Sequence, residues 1–250
     1  MSKHNLNSLV ETIRSRYLSI RAQIEAAAQR VGRDPQAVRL VVVSKTHPVE
    51  TVQAAIEAGI RDFGENYAEE ALQKIQAFHA IEGLRWHMIG HVQSRKADLV
   101  AGHFDWMHSL DSLKLANRLE RFAAQNGRTL PVLLECNVGG ETSKFGYAAS
   151  TPQDLEILSR EVEQIALLPH LQIRGLMTMP PLYNDPEQTR PFFAKLRQVR
   201  DFLAEKFPML DWRELSMGTS ADFVAAVEEG ATFVRIGTAI LGARPPKSYS

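Results

Sequence analysis

Apolar residues recur at helical spacing along the first thirty positions. Leu6, Leu9, Val10, Ile13, Tyr17, Ile20 and Ile24 share one face with charged residues between them, which predicts an amphipathic helix over 6–30 that stops near Gly32. The period then changes. Leu40–Ser44 is apolar at successive positions and rich in valine, the pattern of a short strand buried on both faces. Pro48 opens a helix through Ala58 that Gly59 ends. The alternation continues to the end of the chain. Strands are expected at 61–64, 85–89, 106–109, 130–138, 171–177, 212–215 and 232–236. Helices are expected at about 66–80, from 94, and at 112–125, 152–166, 186–205 and 221–229.

Strands that alternate with helices build parallel βαβ units. Eight of them in about 210 residues, with no long linker, predict a closed sheet: a single (β/α)8 barrel of the TIM type. Residues 1–38 would be an extra N-terminal helix and linker, 39–242 the barrel, and 1–250 one domain. An open doubly wound sheet is the rival, but no G-x-G-x-x-G follows the first strand.

Composition removes several function classes. The chain has 250 residues, 44% of them hydrophobic, and a formal net charge of zero. With no long basic run, no nucleic-acid partner is expected. No stretch approaches the ~20 apolar residues of a membrane span, and the start, Met1 to Leu6, lacks the apolar core of a signal peptide. The single cysteine, Cys136, sits in an apolar strand and reads as a small hydrophobe. A cytoplasmic protein follows as the expectation.

Two segments carry candidate chemistry. In the first, a short strand runs into Ser216-Met217-Gly218-Thr219-Ser220-Ala221-Asp222, and the loop opens a helix that returns to the strand ending Arg235-Ile236-Gly237-Thr238. Ser220 reads as the N-cap of that helix, and Asp222 suits its positive end. In a barrel, the loops after the seventh and eighth strands commonly form an anion site. Gly218 and Gly237 would let backbone N–H groups approach a phosphate, and Ser216, Ser220 and Thr238 would add hydroxyls. The second segment ends the first strand at Lys45. A lysine there is either solvated or an amine whose burial favours its neutral, imine-forming state. Together the two segments suggest a phosphorylated aldehyde held as a Schiff base.

Arg235 shares parity with Phe233 and opposes Val234 and Ile236; if the branched residues face the outer helices, it points into the barrel. There it would pair either with a core carboxylate, Glu65 or Glu135, or with a ligand. Asn66 could donate to a ligand hydroxyl or cap a helix. His87 and His91 follow no metal-ligand spacing. Met177-Thr178-Met179 ends a strand and either packs or walls a pocket, and Lys144 reads as a solvated loop lysine.

Val42-Val43-Ser44-Lys45-Thr46, Phe63-Gly64-Glu65-Asn66-Tyr67, Trp86-His87-Met88-Ile89-Gly90-His91-Val92-Gln93, Leu215 to Asp222 and Val234 to Gly242 together resemble the pyridoxal phosphate homeostasis proteins. The motifs span 42–242. The resemblance implies a barrel similar to the N-terminal domain of alanine racemase, with pyridoxal 5′-phosphate (PLP) at its mouth. By that match Lys45 carries the imine and Arg235 faces the pyridine nitrogen. Ser216, Gly218, Ser220, Gly237 and Thr238 lie in phosphate-binding motifs; Asn66 and Met177, from the reading of the residues above, are the remaining candidates for cofactor contact. The resemblance implies storage, protection or delivery of PLP, with linked effects on amino and keto acids, by a monomer without a defined reaction. Its partners would be PLP and PLP-dependent apo-enzymes.

The alternative is a PLP-dependent racemase or lyase acting on a small amino acid. Racemases of this fold bring an opposing base from a second domain, and only Ala243 to Ser250 follow the last motif. A cofactor-free Schiff-base aldolase on a phosphosugar is a further rival, as is an interaction module.

Overall fold

The computed structural model describes residues 3–141 and 144–244. Thr142 and Ser143 of the expected loop, and 245–250 of the short segment after the last motif, lie outside them. Eight parallel strands form the core: β1 (Arg39–Val43), β2 (Asp62–Glu65), β3 (Arg85–Met88), β4 (Trp106–Leu110), β5 (Leu130–Asn137), β7 (Leu171–Met177), β8 (Glu214–Ser216) and β9 (Phe233–Ile236). Each pairs with its neighbours in chain order. The sheet closes where β1 meets β9, with β4 joined to β5 across a register shift. Closure leaves no barrel strand with an unpaired edge, and the expected (β/α)8 barrel is what the chain forms. A two-residue strand, β6 (Tyr147–Ala148), which the sequence pattern did not suggest, pairs with β5 outside the ring.

The helices are α1 (Lys3–Arg30), α2 (Val49–Glu57), α3 (Ala68–Ala77), α4 (Ala97–His103), α5 (Leu113–Gln125), α6 (Pro152–Ile165), α7 (Arg190–Lys206), α8 (Phe223–Glu228) and the one-turn α9 (Thr238–Leu241). Local chemistry sets several of their starts. The Ser112 hydroxyl accepts from Leu115 N–H, and Thr151 and Asp154 exchange hydrogen bonds in a capping box with Pro152 in the first turn. α1 turns Val10, Ile13, Ile20, Ile24, Ala27 and Ala28 inward against α2, α8 and α9. Each large aliphatic side chain it covers contributes about 1.5–3 kcal/mol.

Parity separates two cores. Leu40, Val42, Val234 and Ile236 face the helices, whereas Val41, Trp106, Leu133, Met177 and Phe233 fill the barrel. The barrel filling is also polar: His87, His108, Ser216 and Arg235 are buried inside it. The Arg39 guanidinium closes the bottom, 4.0 Å over the Phe233 ring, and pairs with Glu214.

Candidate functional site

A cavity of about 450 Å³ opens at the C-terminal ends of the strands, within the usual size of a small-molecule site. Lys45, Asn66, Ser220, Arg235, Gly237 and Thr238 line it. Six of the nine residues singled out from the sequence therefore meet at one place, although they come from the ends of β1, β2, β8 and β9. Thr219, Ala221, Met179, Leu182 and Arg244 complete the walls. Met179, part of the segment expected either to pack or to wall the pocket, and Leu182 come from the loop after β7; sequence pattern alone gives Leu182 no position.

Three residues singled out from the sequence do not line the cavity. Met177 fills the barrel core and does not line the cavity, a place that falls to Met179. Ser216 does not line it either, because its hydroxyl accepts from Arg235 Nη1 at 2.6 Å and meets His108 Nδ1 at 2.8 Å. Gly218 is buried and is not among the lining residues. It adopts φ +91°, and a Cβ there would come within 2.6 Å of the Ala226 Cβ. A side chain at 218 would push the loop off α8, so glycine sets the position of Thr219 to Ala221.

The cap also differs from expectation. The helix starts at Phe223, and Asp222, not Ser220, closes the turn: its Oδ1 accepts from the Thr219 N–H at 2.6 Å and the Thr219 hydroxyl at 3.0 Å. Asp222 N–H and Phe223 N–H both donate to Thr219 O. Closing the turn thus draws on neither the Ser220 nor the Ala221 N–H. The exposed Ser220 side chain remains at the cavity wall.

Lys45 is half-buried on the loop after β1. Burial lowers its pKa, and the charges of Arg244 and Arg235 act the same way, while Glu65 and Glu70 oppose them. A larger share of neutral amine follows. The loop itself is held by Lys74 of α3, a residue that the sequence reading missed. Lys74 Nζ is buried and donates to Ser44 O at 2.8 Å, Glu65 Oε1 at 2.8 Å and Glu70 Oε1 at 2.7 Å. Glu70 in turn accepts from the N–H of Thr46, the one described non-glycine residue at positive φ, +63°. A lysine on the inner face of an amphipathic helix was the available signal.

Arg235 pairs with neither expected carboxylate. Glu65 is taken by Lys74 and by the Ser44 hydroxyl. Arg235 Nη2 donates to Thr178 O at 3.0 Å and to Met179 Sδ at 2.8 Å. Burial lowers its pKa to about 10, opposed by Asp222 and Glu135, so it stays charged at neutral pH. Glu135 borders a neighbouring hollow of about 190 Å³ together with Lys144 and Met179. Burial, with Asp111 adding, pushes the Glu135 carboxyl up to about 7. Lys144 is not simply solvated: its Nζ reaches Met179 O at 2.9 Å and Glu141 Oε1 at 2.9 Å. His91 stacks on Phe145 with centroids 3.7 Å apart and meets Asp111 at 2.8 Å.

The family model for the alanine racemase N-terminal domain matches residues 17–245. A pyridoxal phosphate homeostasis protein of Vibrio cholerae is 46% identical over 90% of this chain and 93% of its own. The protein of that name in Pseudomonas aeruginosa is 46% identical over 94% of this chain and 97% of its own. Among solved structures, PipY of Synechococcus elongatus with PLP bound superposes with a TM-score of 0.80 at 37% identity, covering 92% of this chain and 100% of PipY. Alanine racemase of Clostridium difficile shares the fold at 14% identity, with a TM-score of 0.67 over 94% of this chain and 58% of its own. The chain belongs to the alanine racemase N-terminal domain family and, within it, to the pyridoxal phosphate homeostasis proteins.

Proposed function

We propose that this protein binds PLP in the barrel-mouth cavity and acts in PLP homeostasis as a carrier that stores, protects or delivers the cofactor. The observation that carries the reading is the convergence on one cavity of a half-buried amine, a buried guanidinium and a glycine-shaped loop before a helix. When bound, the cofactor supplies an aldehyde that condenses with an amine and a yellow absorbance that reports the link. Lys45 would provide that amine, with the lowered pKa keeping more of it neutral. Ser220, Gly237, Thr238 and the backbone of 219–221 would hold the phosphate. Arg235 would face the ring nitrogen. A guanidinium there opposes protonation of the ring by like-charge repulsion, which weakens the electron sink that many PLP enzymes use.

The same reading takes 1–250 as one unit, monomeric and cytoplasmic, with PLP-dependent apo-enzymes as recipients. Among the described residues no helix is long and apolar enough to cross a membrane. One observation favours the alternative, a PLP-dependent racemase or lyase. Glu135, with its pKa near 7, is suited to move a proton and lies in the hollow that meets the main cavity at Met179.

Two experiments test the proposal. Incubation with PLP, borohydride reduction and peptide mapping should place a pyridoxyl group on Lys45, and Lys45→Ala should lose both the adduct and the colour. An adduct on another side chain, with Lys45→Ala still yellow, would overturn the assignment. Steady turnover of amino acids by the purified protein would favour the enzyme instead.

A further inference from the structure

Behind Arg235 a row of polar side chains runs down the barrel axis, where apolar filling would be the cheaper solution. Arg235 Nη1 donates to Ser216 Oγ at 2.6 Å. Ser216 Oγ meets His108 Nδ1 at 2.8 Å, His108 Nε2 meets His87 Nδ1 at 3.0 Å, and His87 Nε2 meets Asp62 Oδ1 at 3.1 Å. Asp62 is the first residue of β2, at the bottom of the barrel, where Arg85 clamps it at 2.6 and 2.7 Å. Both imidazoles are fully buried. We propose that Asp62 is a positioning residue for Arg235: through His87, His108 and Ser216 it fixes one direction of hydrogen-bond donation along the barrel and so holds the guanidinium aimed at the cofactor ring nitrogen. The cofactor end of this inference rests on the PLP reading above. The protein end does not.

The direction follows from donor counting. Arginine can only donate, and an ionised carboxylate can only accept. Burial would raise the Asp62 pKa, but hydrogen bonds from Arg85 and His87 outweigh it and hold the carboxyl well below the usual range. His87 therefore carries its proton on Nε2. A neutral His87 then accepts at Nδ1, which requires the proton of His108 on Nε2. His108 then accepts at Nδ1 from the Ser216 hydroxyl, whose oxygen is left to accept from Arg235. Every proton in the row points away from the cation and toward the carboxylate.

Burial keeps both rings neutral, His108 most strongly, because the charges of Arg235 and Arg39 also oppose its protonation. The other groups facing the row are few. Arg39 of β1 is paired with Glu214 of β8, and Asp105 lies before β4. Tyr17 of α1 is near Asp62, and Glu135 and Asp222 act on Arg235. A proton added to His87 would reverse the His87–His108 bond, put the His108 proton on Nδ1, and turn it toward Ser216. Ser216 Oγ would then receive two donors and hold Arg235 less tightly. Chains of this kind polarise one another, so the orientation at one end reaches the other.

Nitrogen NMR of the histidine rings in cofactor-free protein tests the protein end. Both rings should be neutral with the proton on Nε2 and should not titrate between pH 8 and 6. Rings that titrate near 6.5, or that carry the proton on Nδ1, overturn the inference. The cofactor end is read from PLP-loaded protein. Asp62→Asn and His108→Leu should each speed PLP release about tenfold and shift the pH midpoint of the yellow band, as weakening one charge-assisted hydrogen bond implies. Ile24→Ala, a core change in α1 away from the row, should lower stability and leave that midpoint unchanged. Wild-type release rate and midpoint in either row variant would overturn the coupling. A variant that fails to fold leaves the decision to the wild-type ring tautomers and the other variant. Wild-type protein that stays colourless with PLP sinks the cofactor reading and the cofactor end of this inference with it. The cofactor-free tautomers tell that failure apart from failure of the row.

Discussion

At the scale of single residues, environment separates side chains of one type. Glu65 and Glu135 both lie near the mouth of the barrel. Glu65 has a buried lysine at 2.8 Å, whereas among the described residues no arginine or lysine hydrogen bond holds Glu135. Glu135 consequently binds a proton at higher pH in the folded chain, near 7, than its ordinary value of 4.5. The folded state then holds the extra proton between these values, so stability from this group is full below about 4.5 and is lost as pH rises through 7. Glu135→Gln should remove that loss. Denaturant unfolding at pH 5 and pH 8 should show wild-type stability falling by about 2 kcal/mol more than the variant's across the interval. Equal slopes for the two proteins would mean that the carboxyl is not shifted. Cys136 differs again: burial raises its thiol pKa, and it behaves as an inert part of the core.

At the scale of elements, the loop after β1 is fixed by a helix that follows the next strand. Lys74 of α3 ties Ser44 O, Glu65 and Glu70 together, and Glu70 holds Thr46 in its positive-φ conformation. Removing one partner of such a pair leaves a buried charge without compensation, which costs about 3–5 kcal/mol. Lys74→Met should therefore be strongly destabilising, and adding Glu65→Gln should recover a large part of the loss. The double-mutant cycle in urea checks this. Because the loop carries Lys45, Lys74→Met should also slow formation of the yellow species at a temperature where the variant is still folded. A variant of wild-type stability and wild-type rate would show that the tether is dispensable.

At the scale of the molecule, α1 is not an appendage. It covers α2, α8 and α9, and Ile13, Ile24, Ala27 and Ala28 are fully buried beneath it. α8 follows the loop that shapes one cavity wall, and α9 begins at Thr238 of the same cavity. Deleting residues 3–30 exposes the apolar surface of all three helices at the closing seam of the barrel. The truncated chain should give no compact folded species by circular dichroism and size-exclusion chromatography. A folded, PLP-binding truncation would show that the barrel stands alone. The chain also places its functional groups in the way barrels allow: the upper ends of the strands carry the cavity, and the lower ends carry Asp62, Arg39 and their ion-pair partners.

The sequence by itself determined the architecture. Alternating strand and helix periods required parallel units, their number required closure, and the parity of Phe233, Val234, Arg235 and Ile236 turned a guanidinium into the barrel. Those are properties of neighbouring residues and survive without coordinates. Lys45, Gly237 and Thr238 could be assigned to the mouth because each follows a strand at a readable position. Only the tertiary structure decided who meets whom. Asp62, His87, His108, Ser216 and Arg235 lie on five different strands, and Lys74 reaches Ser44 from thirty residues away. Nothing in local spacing encodes such contacts, since they are created when the sheet closes and brings distant strands into register. For the same reason Met177 and Met179, two residues apart, part company, the first filling the barrel and the second lining the cavity: the strand ends between them, and past that end the chain no longer alternates inside and out.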